Sequence, residues 1–186
     1  MSDIKVLALV GSLRAASVNR QIAELAAEKA PVGVAVQVYD GVEGGGIGEV
    51  PFYNEDIDTP ADVPASATAL REAVVKADAI LVVTPEYNGS IPGAVKNAID
   101  WLSRPYGQGA LAAKPLAVIG AAGGQYGGVW AQDETRKSFG IAGADIVETP
   151  PFSLSIGSLN GQHPRDNDDV VTNLNDVVTK LAAEAG

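Results

Sequence analysis

The sequence predicts an α/β fold, a parallel sheet with helices on both faces. Strand-like apolar runs alternate with stretches of helical periodicity, the order that βαβ crossovers produce. The runs are also nearly continuous in Val, Ile, Leu and Ala, and strands apolar on both sides are strands covered on both faces. With 186 residues, no internal repeat and no linker-like stretch, residues 1–186 read as a single domain able to bury a sizeable core.

Residues 4–10, IKVLALV, form the first strand. A polar turn follows, and residues 19–29 place Ile22, Leu25, Ala26 and Lys29 at helical spacing before Pro31 stops the pattern. The β-branched segment 34–39 is a second strand. Residues 41–48 are too rich in glycine for either element. They open a loop that runs to Pro64, long enough to suggest a task of its own. Residues 65–76 are helical and 78–84 a third strand. Pro92, placed where proline is tolerated, opens a helix through Trp101. Residues 115–120 are a fourth strand, 123–128 a second glycine-rich loop, 129–141 a helix and 145–148 a short fifth strand. Residues 150–167 lack periodicity, and Val170, Val171, Leu174, Val177, Val178 and Leu181 mark a closing amphipathic helix. Five strands and about five helices suit a flavodoxin-like three-layer sandwich, a five-stranded parallel sheet of order 2-1-3-4-5. Such sheets bind ligands at the carboxyl ends of their strands, which gathers the loops 11–20, 85–90 and 121–128 at one mouth.

Bulk properties exclude several classes. The formal net charge of −10 argues against nucleic acid and against an anionic membrane surface as partners. With no cysteine there is no disulfide, thiolate nucleophile or cysteine-held metal. The first residues lack the basic and apolar regions of a signal peptide, and no run approaches the ~20 apolar residues of a membrane span. The expected location is the cytoplasm.

The first loop, Gly11-Ser12-Leu13-Arg14-Ala15-Ala16-Ser17-Val18-Asn19-Arg20, carries the chemistry. A strand, a polar turn and a helix N-terminus form an anion site, because the first helical N–H groups lack partners and the dipole favours negative charge. Two hydroxyls, an amide and two guanidinium groups add donors for a phosphate. Neither the Walker pattern nor the three-glycine dinucleotide fingerprint is present, so a terminal monophosphate wrapped by side chains is expected. Asp40 reads as a solvated turn residue, not a ribose-binding acid. In the second loop, Pro85-Glu86-Tyr87-Asn88 form a rigid shelf that could present backbone groups to a heteroaromatic edge. Lys96 and Asp100 in the next helix read as a surface pair. The third loop, with Ala122 and Gly123, allows close backbone approach to a flat ligand. His163, the only histidine, reads as an exposed loop residue. No G-x-S-x-G elbow, metal-ligand spacing or EF-hand is present, so neither a hydrolase nor a metal site is expected. The acids at 166–169 read as the first turn of the closing helix.

Val10-Gly11-Ser12-Leu13-Arg14 with Ser17 and Asn19, then Thr84-Pro85-Glu86-Tyr87-Asn88 with Ser90, Pro92-Gly93 and residues 96–101, resemble the NAD(P)H-dependent FMN reductase family of quinone, chromate and azo-dye reductases. The resemblance extends over roughly residues 4 to 148. It implies FMN as cofactor and NADPH or NADH as reductant. It implies a phosphate held by Ser12, Arg14, Ser17 and Asn19 at the helix start with Val18, and a flavin ring lined by Pro85, Glu86, Tyr87 and Asn88. It further implies a small-molecule electron acceptor and a homodimer or homotetramer, with the helix after the second loop and nearby aromatics at the interface. Where several relatives carry a serine or threonine near the flavin, this chain has Ala121 and Ala122, so contacts by Ala122 and Gly123 would be made through backbone groups. Hydride transfer needs no side-chain acid or base, so no catalytic residue is expected, and donor and acceptor sharing one site would give ping-pong kinetics. The alternative is a flavodoxin-like electron carrier that binds FMN but oxidises NAD(P)H poorly, its acidic surface serving a redox partner. A flavin-free binding module on the same fold is a third reading.

Overall fold

A computed structural model describes residues 3–186. The sheet is parallel throughout. Its main path runs β2 (Val34–Val38), β1 (Ile4–Val10), β3 (Ala79–Thr84), β4 (Pro115–Ala122) and β5 (Asp145–Ile146). The 2-1-3-4-5 order therefore holds. A sixth strand, β6 (Ser153–Ser155), pairs with the far end of β4, matching Gly120, Ala121 and Ala122 to Ser153, Leu154 and Ser155. The fifth strand expected at 145–148 is thus shortened to two residues, and an unexpected sixth follows it. Val147 still donates to the Leu116 carbonyl and Gly120 to that of Phe152. Between them lie Pro150 and Pro151, which have no N–H to give a ladder. The segment 150–167, unreadable by periodicity, therefore supplies an edge strand beside the third loop.

Alternation along the strands builds the three layers. Val6, Ala8, Val10, Leu81, Val83, Ala117 and Ile119 face α1 (Val18–Glu28) and α5 (Asp168–Ala183). Leu7, Leu9, Ile80, Val82, Leu116 and Val118 face α2 (Ala65–Lys76), α3 (Gly93–Leu102) and α4 (Val129–Ile141). Because side chains along a strand alternate in direction, a run apolar at every position serves both cores. All six residues of β3, the middle strand, are buried.

The long loop 41–64 is fastened to α3 and α2. The Asn97 side chain accepts from the Tyr53 N–H (2.8 Å) and donates to the Val50 and Pro51 carbonyls, while the Trp101 indole N–H donates to Pro51 (2.7 Å). Arg71 forms a two-pronged pair with Asp58, both contacts 2.8 Å. Lys96 and Asp100 pair along α3, as expected. Asn167 caps α5 by accepting from the Val170 N–H, as the acidic first turn suggested. His163 is half-buried rather than exposed, its Nδ1 accepting from the Arg165 N–H in a turn. No described helix is long and apolar enough to cross a membrane, and the described residues contain no cluster of metal-ligating side chains.

Candidate flavin site

The three loops meet at the carboxyl ends of β1, β3 and β4, and glycines set how closely. A Cβ on Gly11 would stand 2.5 Å from Val95 and 3.0 Å from Pro85, so the first and second loops are in contact there. Gly120 lies against β3: a Cβ would be 2.0 Å from the Thr84 carbonyl oxygen. Gly128 begins α4 in the left-handed region (φ +84°) between Ala122 and Glu86.

In the first loop, Ser17 is the N-cap residue of α1. It is 1% exposed, yet makes no side-chain cap hydrogen bond. Serine at this position ordinarily accepts from its own helix. Here its hydroxyl and the first N–H groups of α1 are left for another acceptor. Ser12 is buried beside it, and Arg14 is exposed, with no ion pair among the described residues. A cavity of about 360 Å³ is lined by Ser12, Arg14, Tyr39 and Gly44–Gly46. The Tyr39 hydroxyl is buried with no partner, and burial, reinforced by the charge of Glu49, raises its pKa. An orphaned hydroxyl beside a free guanidinium and an uncapped helix start suits a phosphate monoester.

Two loop residues are otherwise engaged. The Asn19 amide donates to the Ala121 carbonyl (2.8 Å) and accepts from its N–H (2.9 Å), both buried. Asn19 thus ties the start of α1 to the end of β4. Arg20 pairs with Glu24 (2.8 Å) and Asp40 (2.6 Å), which is why its pKa rises. It reinforces the loop, and Asp40 is an ion-pair partner, not a merely solvated turn residue. Val18 is half-buried and packs on the core beneath the helix start.

The second loop is a two-residue hairpin. Tyr87 and Ser90 exchange backbone hydrogen bonds, and Asn88 and Gly89 have φ of +54° and +70°, the pair of positive values that a type I′ turn requires. It is fixed to α4: Glu86 accepts from the Ala131 N–H (3.1 Å) and Ser90 donates to Glu134. The Glu86 carboxylate is therefore spent at a helix start, where negative charge is favoured. Pro85 is buried. Tyr87 is 48% exposed and lines a cavity of about 280 Å³ with Arg14, Leu13, Pro92 and Gly93. In the third loop, Ala122 is buried and paired to β6, whereas Gly123 is exposed. Sequence reasoning missed Tyr39 and Trp130, the latter exposed at the start of α4 with its ring close to Gly89. Tyr39 was hidden as the end of a strand pattern and Trp130 as a helical residue.

A doubly wound parallel sheet with an anion cradle after its first strand and a rigid backbone shelf after its third defines a mononucleotide-binding protein. Residues 4–158 match the family model described as NADPH-dependent FMN reductase, and the chain belongs to that family. A quinone reductase of Pseudomonas putida is 41% identical over 155 residues, covering 83% of this chain and 80% of that protein. A 2-hydroxy-1,4-benzoquinone reductase of a Burkholderia species is 42% identical over 133 residues, 72% and 68% of the two chains. The solved structure of a flavoenzyme NAD(P)H:(acceptor) oxidoreductase from Paracoccus denitrificans superposes with a TM-score of 0.82 at 31% identity, covering 97% of this chain and 96% of that one. The cofactor is accordingly FMN and the reductant NAD(P)H.

Proposed function

We propose that this chain passes two electrons from NAD(P)H to a small quinone, as NAD(P)H + H⁺ + quinone → NAD(P)⁺ + hydroquinone. The observation that carries the cofactor's placement is the uncapped, buried Ser17 hydroxyl at the start of α1, beside the unpaired Arg14. The relatives named for quinone reduction support the acceptor class. FMN, when bound, supplies the two-electron chemistry.

The residues bind and orient. Ser12, Ser17 and Arg14 hold the phosphate with the first N–H groups of α1, beginning at Val18, and Tyr39 closes the cavity beside them. Asn19 acts indirectly, holding the helix start against β4. Pro85, Glu86, Tyr87 and Asn88 offer the backbone of a hairpin that cannot flex freely, because Glu86 and Ser90 moor it to α4. N–H groups so fixed stabilise developing negative charge without reorganising. Ala122 and Gly123 bring backbone alone to the third side. No side chain is assigned a proton.

The molecule works as a homodimer or homotetramer in the cytoplasm. A groove of about 480 Å³ between the carboxyl-terminal parts of α3 and α4, with Ile99, Tyr106 and Ile141 in its walls, supports association. The cysteine-free composition suits a reducing compartment.

The deciding experiment is an anaerobic absorbance titration of the FMN-loaded protein with NADPH and then NADH. Bleaching of the flavin band within the mixing time, reversed by 1,4-naphthoquinone, is the expected result. A stable yellow protein that neither nucleotide bleaches would make it an electron carrier. Failure to bind FMN would remove the cradle.

A further inference from the structure

Trp130 has no task in the fold. It is 52% exposed on the first turn of α4, in a protein whose other tryptophan, Trp101, is fully buried. Its surroundings place it at the mouth. The Tyr126 ring of the third loop meets it edge-on, centroids 5.5 Å apart and planes at 60°. Gly89, at the tip of the second loop, lies next to it: a Cβ there would be 3.8 Å from Trp130 Cε3. Its neighbour Ala131 donates its N–H to Glu86, and Glu134, one helical turn on, accepts from Ser90. Residues i and i+4 share a helix face, so Trp130 and Glu134 both look onto the second loop. Tyr126 is 56% exposed, so the pair leaves aromatic surface in water at the junction of two of the three loops.

We infer that Trp130, braced by Tyr126, is the platform on which a planar, uncharged aromatic acceptor stacks, and that it sets selectivity for quinones over anionic acceptors. The inference rests on the quinone-reductase reading above. With the two planes at 60° the rings do not stack face to face, and the half-exposed indole keeps ring surface for a flat partner. The charge around it works against the other acceptor class. Glu86 and Glu134 flank it, and the chain carries a net −10. An anion approaching Trp130 meets like charge, whereas a neutral quinone does not.

The experiment compares wild type, Trp130→Ala and Trp130→Phe. Without any reductant, each protein is titrated with 1,4-naphthoquinone while tryptophan emission is followed. Wild type is expected to show saturable quenching, which Trp130→Ala loses, leaving only a linear collisional component. In steady state with NAD(P)H, Trp130→Ala should raise KM for 1,4-naphthoquinone by roughly three- to tenfold, the size of one aromatic stack. Its KM for ferricyanide, which takes one electron per ion and has no ring to stack, should not change. Trp130→Phe should restore most of the naphthoquinone KM. Equal losses with both acceptors, or an unchanged naphthoquinone KM, would overturn the platform. So would a fall in oligomer mass in Trp130→Ala, which would make Trp130 a subunit contact. Wild type that NAD(P)H cannot reduce would instead refute the reductase reading, and the reductant-free titration separates the two failures.

Discussion

Arg14 and Asp58 show how differently two charged side chains are used. Arg14 is exposed and unpaired among the described residues, so the fold draws nothing from it. Arg14→Ala should leave the melting temperature within a degree or two but weaken FMN retention at least tenfold, the worth of a charge-assisted hydrogen bond. Equilibrium dialysis of the apo protein measures it, and unchanged affinity would take Arg14 out of the cradle. Asp58 is the reverse case. It is largely buried, and the Arg71 guanidinium, held also by the Trp101 carbonyl and stacked 5.3 Å from the indole centroid, keeps its carboxyl below the ordinary value. A depressed carboxyl stabilises the folded state fully above its unfolded pKa of about 3.9 and loses that contribution as pH falls through the folded value. Asp58→Asn should therefore cost about 2 kcal/mol at pH 7. It should also flatten the decline of stability below about pH 5, as followed by denaturant melts across that range.

Among the elements, β4 organises the site. Its central residues hold β3, its beginning holds β5 and its end holds β6, while Asn19 reaches it from α1. Gly120 makes this possible by admitting the Thr84 carbonyl where any side chain would intrude. The atom it would strike is backbone and cannot rotate away. Gly120→Ala should cost about 3 kcal/mol or more by forcing β3 from β4, and should lower FMN affinity along with stability, because the second and third loops spring from those strand ends. A fully stable variant would show that the two strands can separate without harm. The glycine-rich stretch at 41–48 is tightened in another way. Glu49 accepts from the Val42 (2.7 Å), Glu43 (2.9 Å) and Gly45 N–H groups, and those bonds lower its pKa. This converts a run of glycines into a fixed wall for the Tyr39 cavity.

For the whole molecule, the acidic charge and the apolar groove pull in opposite directions. A net −10 discourages indiscriminate association, so the proposed contact between copies would have to be local and apolar. The groove between α3 and α4 offers that, and Ile141 beside it is 77% exposed. Ile141→Glu should shift the mass toward monomer in sedimentation velocity, while the far-UV spectrum stays unchanged because the residue supports no core. An unchanged oligomer would place the interface elsewhere.

Much of this was legible in residue order alone. Sheet order followed from apolar runs alternating with helical periods, since both signals are local and the handedness of crossovers leaves few topologies. The donor-rich turn was legible because a strand–turn–helix junction needs only contiguous residues, here 11 to 20. Distance along the chain hid the rest. Asn19 finds Ala121 across 102 positions and Glu86 finds Ala131 across 45, so whether an amide or a carboxylate faces a ligand or braces a loop is decided only when strands meet. The sixth strand at the edge, the orphaned Tyr39 hydroxyl and the placing of Trp130 next to Gly89 are of that kind. The sequence by itself determined the layers, the mouth and the donor-rich turn, because those depend on local pattern. Tertiary structure alone decided which side chains remain free to meet a ligand, because a polar group's partner is set by packing among distant segments.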